Sequence, residues 1–162
     1  MDYIAEARLA EIIDVTPMTP EQIDQVRESF ASIRFDLEGF AEVFYMQLFE
    51  RCPEIQYMYR GDQKEQERKL ASMLVWLIDG LDRMDDVKPM LQSLGCRHIA
   101  FGVRSKDYGA FGEVLMWTVA KFLDRAFTPE VAESWRSFYE EISAIMQSHA
   151  DHDDRIESHV LA

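Results

Sequence analysis

The stretch PMLQSLGCRHIAFGV, residues 89–103, places one histidine on an otherwise apolar face of a predicted helix. The sequence predicts a helix from Val87 to about Ile99, with Pro89 in its first turn, where the missing N–H of a proline is not needed. Three residues then share one side of this helix at helical spacing: Leu91, Leu94 and His98. A neutral imidazole that faces an apolar pocket can ligate a metal such as iron, but a histidine in this setting is more often a hydrogen-bonded core residue.

The composition is that of one globular domain. Of the 162 residues, 48% are apolar, including ten Phe, six Tyr and three Trp, which is enough to form a substantial core. The 30 acidic residues outnumber the 17 basic ones and give a formal net charge of −13. Because such a surface repels phosphates and anionic lipids, we expect no nucleic-acid partner and no membrane partner.

The cysteine count and the hydropathy pattern indicate a cytoplasmic protein. Two cysteines, Cys52 and Cys96, are too few for a disulfide scaffold, so we expect reduced thiols. The sequence has no apolar run long enough to span a membrane, and its first residues lack the charged-then-apolar pattern of a secretory signal.

Every strong periodic pattern along the chain is helical, which predicts an all-α fold. The sequence Thr19-Pro20-Glu21-Gln22 combines an N-cap, a proline at the first helical position and a capping-box glutamine, and Thr128-Pro129-Glu130 repeats this start signal. Pro53 is expected to end one helix and to open an irregular segment. The other predicted helices cover residues 3–13, 36–51, 63–84 and a segment capped by Ser105.

These patterns divide the chain into three parts. We expect an N-terminal extension with a short helix (1–18), one helical domain (19–148) and an acidic C-terminal tail (149–162) that frays.

A four-helix bundle with a carboxylate metal site would need a Glu-x-x-His pair, and the sequence contains none.

Polar side chains interrupt the apolar stripes of successive helices. The second helix places a phenol there (Tyr45), the third an amide (Gln66) and the fourth an imidazole (His98), and Tyr108 follows on the next. Each has an ordinary structural interpretation alone, since a buried tyrosine usually bonds to the backbone and a glutamine near a helix start is usually solvated. Their order along the chain is the informative feature.

At these positions the sequence resembles the globins. Residues 44–55 (FYMQLFERCPEI) resemble the second globin helix and its proline corner, and residues 66–74 (QERKLASML) resemble the distal helix. Residues 94–103 (LGCRHIAFGV) resemble the proximal helix and the turn after it, and residues 127–139 resemble the start of the final helix. The resemblance covers about 19–147. It is strongest to bacterial single-domain haemoglobins and the globin domain of flavohaemoglobins, with neuroglobin-like features around His98.

The resemblance implies a globin fold, a three-over-three helical sandwich, around haem b. It implies that His98 is the proximal iron ligand and that Tyr45 and Gln66 stabilise O₂ on the distal side. The other haem-binding positions that it implies are Tyr59, Leu70 over the distal face, Val103 and Phe111 against the porphyrin, and Tyr108 beside the proximal imidazole.

Two departures from the family pattern affect the expected chemistry. Tyr59 stands where globins nearly always carry a phenylalanine, so its hydroxyl needs a partner or points to solvent. Flavohaemoglobins also place a glutamate on the last helix to complete a proximal network, whereas the matching stretch here is near Asp151-His152-Asp153. No reductase domain is expected to follow.

The implied function is reversible binding of O₂, CO and NO. Oxygen binding or transport is one expected role, and nitric oxide dioxygenation with a separate reductase is another, so enzymatic activity stays undecided. The alternatives are a haem-based gas or redox sensor that signals through its N-terminal helix to a partner, and a haem-free interaction module, which would not need His98. A monomer and a homodimer both stay open.

Overall fold

Helices account for every regular element in the described part of the chain. The computed structural model describes residues 16–59 and 61–160, with side chains up to Ser148. The α-helices are α1 (Pro20–Ile33), α2 (Leu37–Arg51), α3 (Pro53–Gln56), α4 (Gln63–Asp79), α5 (Met84–Ala100), α6 (Ser105–Leu123) and α7 (Pro129–Val160). The predicted helix over 3–13 lies outside the described residues.

The helices pack three over three. α1, α4 and α5 lie across α2, α6 and α7, and the most extensive contact joins α5 to α7. This arrangement confirms the predicted all-α sandwich. No helix among the described residues combines the length and the apolar character that a membrane crossing requires.

Aromatic residues fill the centre of the sandwich. Phe30, Phe40, Phe44, Trp135 and Phe138 are each at most 2% exposed, and they come from α1, α2 and α7. Trp135 donates its indole N–H to the Ser29 hydroxyl over 2.9 Å, so the polar atom of the largest buried side chain is satisfied. This cluster fixes α7 against α1.

Both predicted start signals are confirmed. The Thr19 hydroxyl accepts from the Gln22 backbone N–H over 3.2 Å, and the Gln22 side chain accepts from the Thr19 N–H over 3.0 Å, which is a complete capping box. The Thr128 hydroxyl accepts from the Val131 N–H over 3.3 Å, and α7 begins at Pro129.

The junction between α4 and α5 differs from the prediction. α4 ends at Asp79 rather than at residue 84, because Gly80 closes it, and a 3₁₀ turn over Leu81–Arg83 follows. α5 then begins at Met84, so Pro89 lies inside the helix and not in its first turn. Asp85 and Asp86 occupy that turn, where carboxylates favour the positive end of the helix dipole.

Two further helix starts differ from the prediction. Pro53 opens the short helix α3 and not an irregular segment. α6 begins at Ser105, but its N-cap is Arg104, whose N–H donates to the carboxylate of the buried Asp107 over 2.8 Å. The helix α7 is assigned to Val160, and the fraying expected from His149 onward stays a prediction.

A close approach of α5 to α7 depends on the absence of a side chain at Gly95. A Cβ atom there would lie 2.2 Å from the Met146 carbonyl oxygen, whereas one at Gly109 on the exposed side of α6 would meet nothing within 4 Å. We expect Gly95→Ala to lower the free energy of unfolding by about 1–3 kcal/mol, because the two backbones must separate. Chemical denaturation measures it.

The matched control is Gly109→Ala. Both glycines are helical, so the gain in helix propensity, up to about 1 kcal/mol, applies to each variant. Equal stability changes in the two variants would contradict the proposed role of the Gly95 contact.

Candidate functional site

His98 is fixed by a hydrogen bond to its own helix. It lies on α5, one turn after Leu94, and its Nδ1 is 2.8 Å from the Leu94 carbonyl oxygen. A carbonyl can only accept, so Nδ1 carries the proton, and Nε2 of the neutral ring is left with its lone pair. The imidazole therefore presents an unprotonated nitrogen at its far end.

The surroundings of His98 favour the neutral ring. Burial lowers its pKa below the ordinary value, the Arg97 charge lowers it further, and the bond to Leu94 partly opposes both. A neutral imidazole with a free Nε2 is the form that ligates metals.

Tyr108 lies beside His98 with an unpaired hydroxyl. The two ring centroids are 6.5 Å apart with 33° between the planes. The Tyr108 hydroxyl is buried and has no hydrogen-bond partner among the described side chains, while its backbone carbonyl accepts from the Tyr139 hydroxyl. No carboxylate up to Ser148 on α7 reaches Tyr108, and the stretch around Asp151 lies beyond the described side chains.

Two tyrosines meet where α2 faces the loop before α4. The Tyr45 ring lies edge-on to the Tyr59 ring, with centroids 5.6 Å apart, and Tyr45 is 5% exposed. Burial raises the pKa of both phenols, to about 12 for Tyr59, and the interaction between their hydroxyls raises that of Tyr45 further. Both phenols are therefore neutral donors at physiological pH, and Tyr59 packs on Tyr45.

A chain of aromatic contacts links the tyrosine pair to the helix beside His98. The Phe44 ring centroid lies 5.3 Å from that of Tyr45 and 5.9 Å from that of Phe111. Phe111 is on α6, one turn after Tyr108. The structure thus connects the predicted residues of α2, α6 and α5. Leu70, Val103 and Phe111 are partly buried and pack against the core.

The structure does not give Gln66 a partner. Gln66 is half-buried on α4, and its side chain makes no hydrogen bond within the described residues. Its role as a distal donor stays a prediction.

Sequence reasoning missed the buried carboxylate next to it. Glu67 is 3% exposed, and its Oε1 accepts from the Gln63 side chain over 3.2 Å. Its Oε2 lies 3.2 Å from Lys64 Nζ, an ion pair without hydrogen-bond alignment. The signal was present, because Glu67 precedes Leu70 and Leu74 at helical spacing and so shares their buried side.

An open cleft elsewhere on the surface is not this site. It has a volume of about 580 Å³ and lies where α4 meets α5, with Val75, Trp76, Arg83 and Val87 among its lining residues. None of the predicted haem-binding residues lines this cleft, so we do not assign haem binding to it.

Comparison with known proteins identifies the family. The globin family model matches residues 44–146, and the chain belongs to the globins, a family of haem-binding proteins. A bacterial globin structure from Campylobacter jejuni superposes with a TM-score of 0.74, covering 84% of this chain and 99% of that one at 18% identity. That likeness concerns the fold.

Curated relatives are flavohemoproteins. The chain is 21% identical over 132 residues to the flavohemoprotein of Bordetella parapertussis, which covers 80% of this chain and 33% of the relative. It is 23% identical over 99 residues to that of Bacillus subtilis, which covers 59% of this chain and 25% of the relative. The chain therefore spans about a third or less of the length of these relatives.

The donor set fits haem. His98 offers a neutral nitrogen from within a half-buried setting, and a polar hydroxyl, Tyr108, lies beside it without a partner. The tyrosine pair on α2 and the α3–α4 loop supplies neutral donors but no competing thiolate or imidazole. Among the described residues, no cluster of three or more His, Cys, Asp or Glu offers an alternative metal centre.

The Tyr139 hydroxyl donates to the Tyr108 carbonyl, whereas the Tyr108 hydroxyl has no partner among the described side chains, so removing each hydroxyl in turn tests this difference. We expect Tyr108→Phe to leave the free energy of unfolding unchanged or to raise it by about 1 kcal/mol, because a buried unsatisfied group is removed. The control Tyr139→Phe removes a bond that is made and should lower it by about 1 kcal/mol.

Urea denaturation of the two variants measures the difference. A Tyr108→Phe variant less stable than Tyr139→Phe would show that the Tyr108 hydroxyl has a partner, against its position in the structure.

Proposed function

We propose that this globin binds haem b through His98 and reversibly binds O₂ and other diatomic gases. The observation that carries the proposal is the commitment of His98 Nδ1 to the Leu94 carbonyl, which leaves Nε2 as the free ligand atom. When bound, haem supplies the iron that takes up O₂ and transfers electron density to it. The side chains hold the haem, donate hydrogen bonds to its ligand and exclude water.

The hydrogen bond to the Leu94 carbonyl orients the His98 imidazole. A bonded Nδ1–H fixes the tautomer and raises the basicity of Nε2, which strengthens ligation. The Tyr108 ring beside it limits rotation of the imidazole, and Val103 and Phe111 would pack against the porphyrin in agreement with the family resemblance.

Tyr45 provides the hydrogen bond on the opposite side. A phenol that stays neutral at physiological pH donates to a ligand that carries partial negative charge, and a buried setting makes that bond stronger than in water. Tyr59 lies against Tyr45 and holds its ring, while Gln66 is the second proposed donor. Leu70 and Phe111 exclude water from the same space. This arrangement favours slow release of O₂.

Conversion of nitric oxide to nitrate is a further proposed role. The net reaction joins NO, O₂ and one electron, and the electron must come from a reductase. Flavohemoproteins are the relatives that support this role, and the part they share with this chain is about a third of their length. Within the described residues there is no strand, hence no β-strand-to-helix turn that could hold a flavin or nicotinamide phosphate.

The proposal predicts that Tyr45→Phe releases O₂ about ten- to hundredfold faster. The reason is the loss of one hydrogen bond to a partly charged ligand, about 1.5–3 kcal/mol. CO carries less charge, so its release should change much less. Stopped-flow displacement kinetics on the reduced protein measures both rates.

The matched control is Tyr57→Phe, a tyrosine that is 84% exposed. It should leave both rates unchanged. Equal acceleration of O₂ and CO release by Tyr45→Phe would mean that steric fit, and not hydrogen bonding, determines how long the ligand stays.

A further inference from the structure

The buried carboxylate of Glu67 has no role in the function proposed above. It lies on the first turns of α4, next to Gln66, and its side chain is 4% exposed. Burial of a charge is costly unless the group is paired, so a carboxylate in this position needs an explanation.

Glu67 belongs to a small charged cluster that joins α4 to α2. Lys64 Nζ lies 3.2 Å from Glu67 Oε2 and 3.6 Å from Glu42 Oε2. Glu42 is on α2, three residues before Tyr45, so the cluster sits one helical turn from the proposed distal donor. Gln63 completes it by donating to Glu67 Oε1.

The three charges differ in their exposure to water. The side chains of Lys64 and Glu42 are 51% and 59% exposed, whereas that of Glu67 is 4% exposed. Water and salt screen exposed charges strongly and buried ones weakly. The Glu67 carboxylate is therefore the least screened charge of the cluster, with Lys64 offsetting part of it, and it is one of the groups that raise the pKa of Tyr45.

We propose that Glu67 determines the ligand specificity of the distal side by disfavouring anions and favouring neutral ligands. The inference rests on the proposed function, since it concerns ligands beside Tyr45. A buried negative charge opposes any further negative charge nearby, whether it is an incoming anion or an ionised Tyr45. This repulsion affects neutral gases little, and it keeps the Tyr45 hydroxyl protonated and able to donate.

The test compares sodium azide, an anion, with imidazole, a neutral ligand, on the ferric protein at one pH and ionic strength. A unit charge roughly 10 Å from a ligand, at the effective dielectric of a protein interior, changes affinity about tenfold. We expect Glu67→Gln to raise azide affinity about three- to tenfold, with imidazole affinity nearly unchanged. The readout is the ratio of the two dissociation constants, which a purely structural role would not move.

Glu42→Gln is the matched control. Glu42 is also a carboxylate that pairs with Lys64, but it is exposed. Its replacement should therefore leave the ratio of the azide and imidazole dissociation constants at the wild-type value. Lys64→Gln leaves Glu67 without its cation and should shift the ratio in the opposite direction, which keeps the proposal testable if Glu67→Gln does not fold. An unchanged ratio in the Glu67 and Lys64 variants, or an equal change in Glu42→Gln, would overturn the proposal.

A second measurement does not depend on ligand binding. With 3,5-difluorotyrosine at position 45 of the full chain, Glu67→Gln should lower the pKa of the fluorinated phenol, and Glu42→Gln should not. No shift would overturn the proposed influence of Glu67. A chain that takes up no haem yet shows the shift would contradict the proposed function and leave the influence of Glu67 on Tyr45 intact.

Discussion

The close packing of α5 on α7 is the constraint on which the site depends. At Gly95 the backbone of α5 lies so near Met146 that no side chain fits between them. His98 follows three residues later, so the contact fixes the position of its helix against α7. The imidazole then needs only the bond to Leu94 to define which nitrogen is free.

Electrostatics divides the site into two unlike sides. At His98, burial lowers the pKa of a base, and at Tyr45, burial raises the pKa of an acid. Both shifts arise from removal of water, and they favour the neutral imidazole on one helix and the neutral hydroxyl donor on another. The charge of Glu67 adds to the second effect. Desolvation is thus the common physical cause of the two opposite chemical roles.

The fold could be predicted from helical spacing and start signals. Thr19 and Thr128 specify their helices through local hydrogen bonds, so the sequence alone is sufficient there. The junction around Gly80 could not be predicted, because the apolar stripe continues into Leu81 after the helix has ended. Periodicity reports which residues are buried and does not report where the backbone changes direction.

The candidate site shows a similar division. His98 and Tyr45 stand out as polar residues within apolar stripes, and the structure buries both at least partly. Glu67 was missed because its neighbour Gln66 matched a known pattern, and two adjacent residues on a helix point in different directions. The contact between Tyr45 and Tyr59 joins segments separated by a loop, and sequence spacing alone does not specify such a contact.

Ligation of haem b by His98 is open to a direct test by absorption spectroscopy. The protein is purified from cells supplied with haem, recorded in the ferric form, then reduced with dithionite, then exposed to CO, and its haem type is read from the pyridine haemochrome. We expect a haem b spectrum with a CO adduct in the wild type and in the control His159→Ala, and loss or weak retention of haem in His98→Ala. A His98→Ala variant with a full, unchanged haem spectrum would contradict it, since another residue would then hold the iron.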